Sequence, residues 1–141
     1  MKRKASAVWT GNLKDGKGTM STDSGVLKDT QYSFSTRFEE EPGTNPEELI
    51  AAAHAGCFSM ATSAELEKAG FTAEKLATSA TVTLEKTDAG FTVTKVHLEM
   101  KAKVPGADSE AFMAAANNAK AGCPISRLLN AEITLDATLE A

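Results

Sequence analysis

Two cysteines are the side chains of this sequence best suited to covalent chemistry, because a thiolate is a potent nucleophile. Cys57 lies in the most apolar stretch of the chain, where burial would favour the unreactive neutral thiol. Cys123 follows Gly122 and precedes Pro124, an order that predicts a position at the start of a short helix. The free backbone N–H groups of a helix start favour a thiolate. From local surroundings alone, Cys123 is therefore the better thiolate candidate, and a reactive Cys57 needs a cation beside it.

The local sequence leaves a purely structural role open for both cysteines. Free cysteines are among the most buried residues and often pack as small hydrophobic side chains. The two are too far apart to form a Cys-x-x-Cys redox motif. Two cysteines and two histidines are also a poor ligand set for structural zinc.

Three polar residues are candidates to act together with a thiol. Arg37 could stabilise a thiolate and donate to a peroxide oxygen, or it could belong to a surface charge run. Glu47 could orient Arg37 through a bidentate pair, but residues 44–47 also have the order of a capping box, which would account for Glu47. His54, three residues before Cys57, could form a Cys-His nucleophile pair or be a satisfied or interface histidine.

The first half of the sequence predicts a small sheet followed by a long helix. Strands are predicted at residues 5–10, 19–22 and 31–38, with Arg37 near the end of the third, and together they fit an antiparallel meander. The helix is predicted over residues 44–69. These elements must position every candidate residue except Cys123.

The middle of the long helix is apolar on nearly every side. Between Leu49 and Ala61 only His54 and Ser59 are polar, apart from glycine and cysteine. Such a pattern predicts a helix that is buried all round, covered by sheet or by a partner subunit. The apolar stretch is too short to cross a bilayer.

The second half predicts two strands, two helices and a last strand. A change of parity predicts a bulge near Thr94 in the second of the two strands. Asp108 can cap a helix that ends at Gly122, residues 124–129 form a short helix, and residues 133–139 alternate as the last strand. The order βββ-α-ββ-αα-β predicts an α+β fold, with dimerisation covering the central helix.

Composition limits the class of protein. The 141 residues suggest one domain, 1–141, or two small lobes that share a core. A net charge of −4 without a basic stripe argues against a nucleic-acid partner. No window reaches the roughly 18 apolar residues of a membrane span, and no export signal follows the basic residues 2–4. We therefore expect a cytoplasmic protein without a membrane partner.

Two longer segments of the sequence closely resemble the signatures of the OsmC/Ohr family, specifically its osmotically induced OsmC branch. They are residues 43–61, around Cys57, and residues 119–126, around Cys123. Shorter matches extend the resemblance over essentially the whole chain, at residues 16–19, 24–27, 37–38 and 131–135. Two signatures at matched spacing make the resemblance highly specific.

The resemblance implies an intertwined α+β homodimer, with antiparallel sheets around long central helices, that reduces organic hydroperoxides to alcohols. It assigns the attacking thiol to Cys57, which becomes a sulfenic acid, and the resolving thiol to Cys123, which closes a Cys57–Cys123 disulfide. It matches Arg37 and Glu47 to the polar pair beside the attacking sulfur. No metal, flavin or nicotinamide is implied. The implied reductant is an external dithiol, with lipoyl groups as the family's candidate.

Several alternatives remain open at this stage. In the Ohr branch the catalytic arginine comes from an earlier loop, whose region here holds Lys14 and Lys17, so the cation is either Arg37 or a basic residue of that loop. A hydrolase or transferase that uses His54 with Cys57 is a second enzyme class. A non-catalytic stress-induced dimer is a third hypothesis.

If the Arg37–Glu47 pair serves the Cys57 thiolate, as the resemblance implies, either the chain folds back or a second copy supplies the pair, and we predict that each active site draws on two subunits. Cys57 follows Glu47 by ten residues, a rise of about 15 Å along one helix. A glutamate side chain cannot span that distance. An antiparallel crossing of two such helices would place Glu47 of one subunit near Cys57 of the other.

Overall fold

A three-stranded antiparallel sheet opens the chain. In the computed structural model, which describes residues 1–141, strand β1 (Ala5–Thr10) pairs with β2 (Lys17–Thr22), and β2 pairs with β3 (Thr30–Tyr32). The predicted meander is therefore confirmed. This sheet belongs to the first of two compact units, residues 1–49, and the second unit comprises residues 50–141.

A glycine in the middle strand allows two aromatic rings to meet across this sheet. Trp9 and Tyr32 lie opposite Gly18 in the two neighbouring strands, and their ring centroids are 5.6 Å apart. A Cβ atom on Gly18 would lie 2.5 Å from the Tyr32 ring and 2.7 Å from the Trp9 ring. The packing of the two rings therefore requires glycine between them.

The predicted third strand, residues 31–38, is wrong in its second half. Ser33 begins a short helix instead, α1 (Phe34–Phe38). The Ser33 hydroxyl accepts the backbone N–H of Thr36 at 3.3 Å, and the Thr36 hydroxyl accepts the backbone N–H of Ser33 at 2.8 Å. These reciprocal bonds form a capping box, which outweighs the strand propensity of the segment. Arg37 consequently lies in the last turn of a helix.

The predicted long helix is confirmed as α2 (Pro46–Lys68). The Asn45 side chain accepts the backbone N–H of Glu48 at 2.8 Å, which caps the start of the helix. The predicted stop is also confirmed, because Gly70 has a φ angle of +91°, a conformation that glycine adopts without strain.

The single chain buries only one side of α2, and cover of the other side by a partner subunit stays a prediction. The buried residues follow the spacing of one helical stripe, and they are His54, Phe58, Thr62 and Leu66. The opposite side is apolar but exposed, with Ala52, Ala53, Gly56 and Met60, the last 78% exposed. Small apolar residues thus line a helix face that the chain itself leaves open.

A second sheet carries most of the remaining strand residues. Strands β4 (Lys75–Thr87) and β5 (Gly90–Lys103) form a long antiparallel hairpin. Thr83 pairs with Lys95 while Leu84 pairs with Val93, so that Thr94 has no partner residue. The bulge predicted near Thr94 is therefore confirmed.

The last strand corrects the expectation of purely antiparallel sheets. Strand β6 (Glu132–Glu140) pairs with β5 in parallel. Two helices, α3 (Ser109–Gly122) and α4 (Pro124–Leu128), connect β5 to β6. A helical crossover returns the chain to the same end of the sheet, which makes a parallel neighbour possible. The class remains α+β as predicted, with the element order βββ-αα-ββ-αα-β.

Both predicted ends of α3 are confirmed. The Asp108 carboxylate accepts the backbone N–H of Ala111 at 2.7 Å, which caps the first turn. The helix ends at Gly122, and Cys123 follows it with an extended backbone. The chain therefore turns sharply at Cys123 before α4 begins. None of the four helices is long and apolar enough to cross a membrane.

One hydrophobic core fills the second unit. It joins the buried stripe of α2 to one face of β5 and one face of α3. The β5 residues follow the two-residue period of a strand, and the cluster includes Phe58, Leu66, Val96, Leu98, Met100, Ala102, Phe112, Ala116, Ala119 and Cys123. The resolving cysteine predicted from the family resemblance is thus part of this core.

We expect Phe112→Ala to lower the free energy of unfolding by about 3–5 kcal/mol, because the side chain is fully buried and its removal leaves a cavity. The matched variant Phe91→Ala changes a strand residue that is 61% exposed, and it should cost less than about 1 kcal/mol. Urea denaturation of both variants measures the difference. Equal losses would contradict the position of the core.

Candidate active site

Both cysteines lie in the second unit and contact each other. Cys57 is on α2 and half-buried, whereas Cys123 lies between α3 and α4 and is 1% exposed. Their side chains are hydrogen-bond partners, and both are free thiols. The fold therefore brings together two residues that are far apart in the sequence.

The first turn of α4 presents backbone N–H groups to both sulfur atoms. Cys123 is the N-cap of this helix, as predicted, and the backbone N–H of Ser126 lies 3.4 Å from its Sγ. The backbone of Ile125 forms a hydrogen bond with the Cys57 thiol. Pro124, at the helix start, has no N–H to offer. One short helix thus holds the two thiols at a single place.

Burial raises the pKa of the Cys57 thiol above its ordinary value. The hydrogen bond and the charge interaction with Cys123 raise the pKa further, and the hydrogen bond from the Ile125 backbone lowers it. No cation is among the groups that act on this thiol. The arrangement within residues 50–141 therefore favours the neutral form, and a reactive Cys57 still needs a positive charge.

Access distinguishes the two thiols. Cys123 occupies the N-cap position that makes it the better thiolate candidate from the sequence. Its side chain, however, is almost completely buried. Cys57 is partly exposed and can meet a substrate from solvent. Of the two thiols, Cys57 is therefore the one that a small molecule can reach from solvent.

His54 contacts a serine rather than a cysteine. Its Nε2 atom lies 2.7 Å from the Ser126 hydroxyl, and the residue is fully buried. Its Nδ1 atom is buried without a hydrogen-bond partner, and burial lowers the pKa of the imidazole. The alternative hydrolase would require a hydrogen bond between His54 and Cys57, and none is present. No group of three or more histidine, cysteine, aspartate or glutamate side chains is arranged to hold a metal ion.

Ser126 is not among the predicted site residues, yet it links His54 to Cys123. The Cys123 thiol donates to the Ser126 hydroxyl at 3.2 Å. The sequence did contain a signal for its contact with Cys123: Ser126 lies three residues after this N-cap residue, a position whose backbone N–H the cap side chain accepts. Its contact with His54 joins residues far apart in the sequence and has no such signal.

Arg37 and Glu47 form a two-pronged ion pair in the first unit. The Arg37 Nε atom lies 3.1 Å from both carboxylate oxygens of Glu47, and Nη2 lies 2.6 Å from Oε1. The predicted bidentate pair is therefore present. The capping-box interpretation of Glu47 is wrong, because Asn45 caps α2 through Glu48 and leaves the Glu47 carboxylate for the arginine.

An apolar cavity of about 260 Å³ borders Arg37. Four of its lining residues are aromatic, and the lining comprises Trp9, Leu13, Tyr32, Ser33, Phe34, Arg37 and Phe38. The Arg37 guanidinium also lies 5.0 Å from the centre of the Phe38 ring. Lys14 and Lys17, the other candidate cations, line a different cavity of about 430 Å³ and form no ion pair with Glu47.

Comparison with known proteins identifies relatives along the full chain. Residues 38–138 match the sequence model of the OsmC-like protein family. Peroxiredoxin OsmC of Escherichia coli (strain K12) is 55% identical over 139 residues, which cover 99% of this chain and 97% of the relative.

Solved structures share the fold at lower identity. An organic hydroperoxide resistance protein from Elizabethkingia anophelis superimposes with a TM-score of 0.75 at 23% identity, covering 99% of each chain. OhrB of Bacillus subtilis superimposes with a TM-score of 0.69 at 24% identity, covering 97% of this chain and 98% of that one. The family predicted from the two sequence signatures is confirmed: this chain belongs to the OsmC family.

Proposed function

We propose that this protein is a thiol peroxidase that reduces organic hydroperoxides to alcohols, with Cys57 as the attacking thiol and Cys123 as the resolving thiol. The observation that carries the proposal is the contact between a partly exposed Cys57 and a buried Cys123. The relative with 55% identity is named a peroxiredoxin. The geometry of the two thiols and the similarity to a peroxiredoxin therefore both support thiol-dependent reduction of a peroxide.

The reaction divides into three balanced steps. The Cys57 thiolate attacks the distal oxygen of the hydroperoxide, the O–O bond breaks, and the leaving alkoxide takes up a proton to become an alcohol. Cys57 is oxidised to a sulfenic acid. The Cys123 sulfur then attacks the Cys57 sulfur, the S–O bond breaks, and water leaves. An external dithiol, for which lipoyl groups are the candidate, reduces the disulfide by exchange.

Arg37 supplies the missing cation in this proposal. Glu47 engages Nε and Nη2 of the guanidinium, so Nη1 is not used by the ion pair. A guanidinium held in this way can stabilise a thiolate and donate to the peroxide oxygens while its plane stays fixed. Cys57 needs such a cation to become a thiolate, because burial raises its pKa and no cation in its own unit offsets this effect.

The proposal places the Arg37–Glu47 pair of one subunit at the Cys57 of a second copy. Cys57 follows Glu47 by ten residues in α2, about 15 Å along the helix axis. A homodimer would also cover the apolar face of α2 around Gly56 and Met60, which the single chain exposes. Contiguous exposed apolar surface of this kind is characteristic of protein interfaces.

The cavity beside Arg37 accounts for a preference for organic substrates. Its aromatic lining suits the hydrocarbon part of a hydroperoxide, and the guanidinium at its edge suits the peroxide oxygens. A cytoplasmic location is part of the proposal, because the disulfide must be reduced in every cycle and a thiol-reducing compartment supplies the electrons.

We expect Cys57→Ser to abolish turnover, whereas Cys123→Ser still undergoes one oxidation per site. The reason is the division between attack and resolution, so the sulfenic acid of Cys123→Ser should persist or become over-oxidised. Mass spectrometry after one equivalent of cumene hydroperoxide measures both variants, with wild type forming the disulfide as control. Sulfenylation of Cys123 in Cys57→Ser, with peroxide consumed at the wild-type rate, would reverse the two roles.

We expect kcat/KM to be higher for cumene hydroperoxide than for hydrogen peroxide. Each buried methylene contributes about 0.8 kcal/mol, or about fourfold in kcat/KM. Leu13→Ser in the cavity lining should reduce this preference. Val26→Ser is the matched control, because Val26 is 84% exposed and does not line the cavity. Equal efficiencies with both peroxides in wild type would contradict the substrate class.

Mixed dimers test the shared site. Cys57→Ser and Glu47→Ala should each be inactive or strongly impaired as homodimers. After subunit exchange, a mixed dimer has one site with both defects and one site with neither, so peroxidase activity should reappear. Native mass spectrometry verifies the exchange. Proven exchange without recovered activity would mean that one chain supplies the whole site.

A further inference from the structure

The chain of hydrogen bonds behind Cys123 suggests a role for two residues that the peroxidase steps above do not use. We propose that Ser126 and His54 form a relay that takes the proton from the Cys123 thiol as this thiol attacks the Cys57 sulfenic acid. This inference rests on the proposed function. The relay would set the rate of disulfide formation and leave the attack on peroxide unaffected.

The hydrogen bonds run in one direction from thiol to imidazole. The Cys123 S–H donates to the Ser126 hydroxyl oxygen at 3.2 Å, and that oxygen lies 2.7 Å from Nε2 of His54. In the tautomer of His54 that carries its hydrogen on Nδ1, the Ser126 hydroxyl donates to Nε2 and the two hydrogen bonds run in the same direction. A proton can therefore leave the sulfur by two short transfers, without any movement of the backbone.

Burial favours an internal proton acceptor. Cys123 is 1% exposed and His54 is fully buried, so the resolving thiol has almost no contact with bulk water of its own. Burial also lowers the pKa of His54, which keeps the imidazole neutral and its acceptor lone pair free near neutral pH. When Nε2 is the acceptor, Nδ1 carries the ring hydrogen, and no carboxylate holds it. The imidazolium is therefore a transient species that readily returns its proton.

The step balances without an added oxidant or reductant. The Cys123 sulfur forms a bond to the Cys57 sulfur, and the S–O bond of the sulfenic acid breaks. The thiol proton passes to Ser126 while the serine hydrogen passes to His54. The departing hydroxide becomes water by taking up a proton from solvent at the partly exposed Cys57. The proton held by His54 returns through Ser126 to the Cys123 sulfur when the external dithiol reduces the disulfide. The sulfenic sulfur is reduced as the Cys123 sulfur is oxidised to the disulfide.

The contacts assign the relay to the resolving thiol alone. The Cys57 sulfur interacts with the Ile125 backbone and with Cys123, and not with His54 or Ser126. The simplest structural alternative is a buried histidine whose polar atom is satisfied by a nearby hydroxyl. The same protein contains such a pair, His97 with Thr134 at 2.6 Å, which has no hydrogen bond to a cysteine and serves as a control.

Single-turnover kinetics with one equivalent of cumene hydroperoxide can separate the two steps. Rapid quenching with dimedone counts the Cys57 sulfenic acid, and mass spectrometry of quenched samples counts the disulfide. We expect Ser126→Ala and His54→Gln to oxidise Cys57 at the wild-type rate and to form the disulfide about 100-fold more slowly. Ser126→Thr, which keeps the hydroxyl, should restore the second rate. If His54→Gln fails to fold, the Ser126→Ala and Ser126→Thr pair carries the test.

Matched variants control for general damage to the fold. Ser59→Ala removes a hydroxyl of α2 that has no hydrogen bond with either cysteine or with His54. His97→Gln disrupts the other histidine–hydroxyl pair. Both variants should leave the rates of Cys57 oxidation and disulfide formation unchanged. A solvent deuterium isotope effect on disulfide formation should be present in wild type and diminished in Ser126→Ala, which a purely structural role would not produce.

The relay and the peroxidase proposal fail by different results. Disulfide formation at the wild-type rate in Ser126→Ala would overturn the relay while leaving the peroxidase intact. An equal slowing of both steps in that variant would also overturn the relay, because it would indicate damage to the whole site. Absence of Cys57 oxidation in the wild-type protein would overturn the peroxidase proposal itself.

Discussion

The candidate site depends on the first turn of α4, where one cysteine caps the helix and the other receives a backbone hydrogen bond from it. Cys123 occupies the N-cap because α3 ends at Gly122, and Pro124 then begins the next helix without an N–H of its own. The following N–H groups are therefore aimed at sulfur: one from the Ile125 backbone at Cys57 and one from Ser126 at Cys123. This turn therefore contacts both cysteines, which the hydrophobic core also brings together.

Burial limits both the ionisation of Cys57 and the access of solvent to Cys123. It raises the pKa of Cys57 and almost completely encloses Cys123. The structure contains two polar arrangements that could compensate. In the proposed function the Arg37 guanidinium, held by Glu47, stabilises the attacking sulfur, and in the proposed relay the buried His54 accepts the proton of the resolving sulfur. Each arrangement suits one half of the proposed cycle.

The ion pair illustrates how local capping decides which side chains remain free for function. Asn45 caps α2 through Glu48, so the Glu47 carboxylate is available to the guanidinium. The capping box of α1 places Arg37 in a helical last turn, where its side chain lines an apolar cavity. Two neighbouring helix starts therefore produce a charged group at the edge of an aromatic surface, an arrangement suited to a substrate with a polar head and an apolar body.

Features that depend on nearby residues were predicted correctly: the meander, the long helix and its stop, the bulge at Thr94 and the cap of α3. The two sequence signatures identified the family. Local pattern and turn chemistry are sufficient for these features. The folded chain was needed for the parallel return of β6, the one-sided burial of α2 and the contact of His54 with Ser126. The approach of Cys57 to Cys123 was expected from the family resemblance but not from local pattern. Those features join residues distant along the chain, and no local propensity specifies which of the possible long-range pairings the folded core selects.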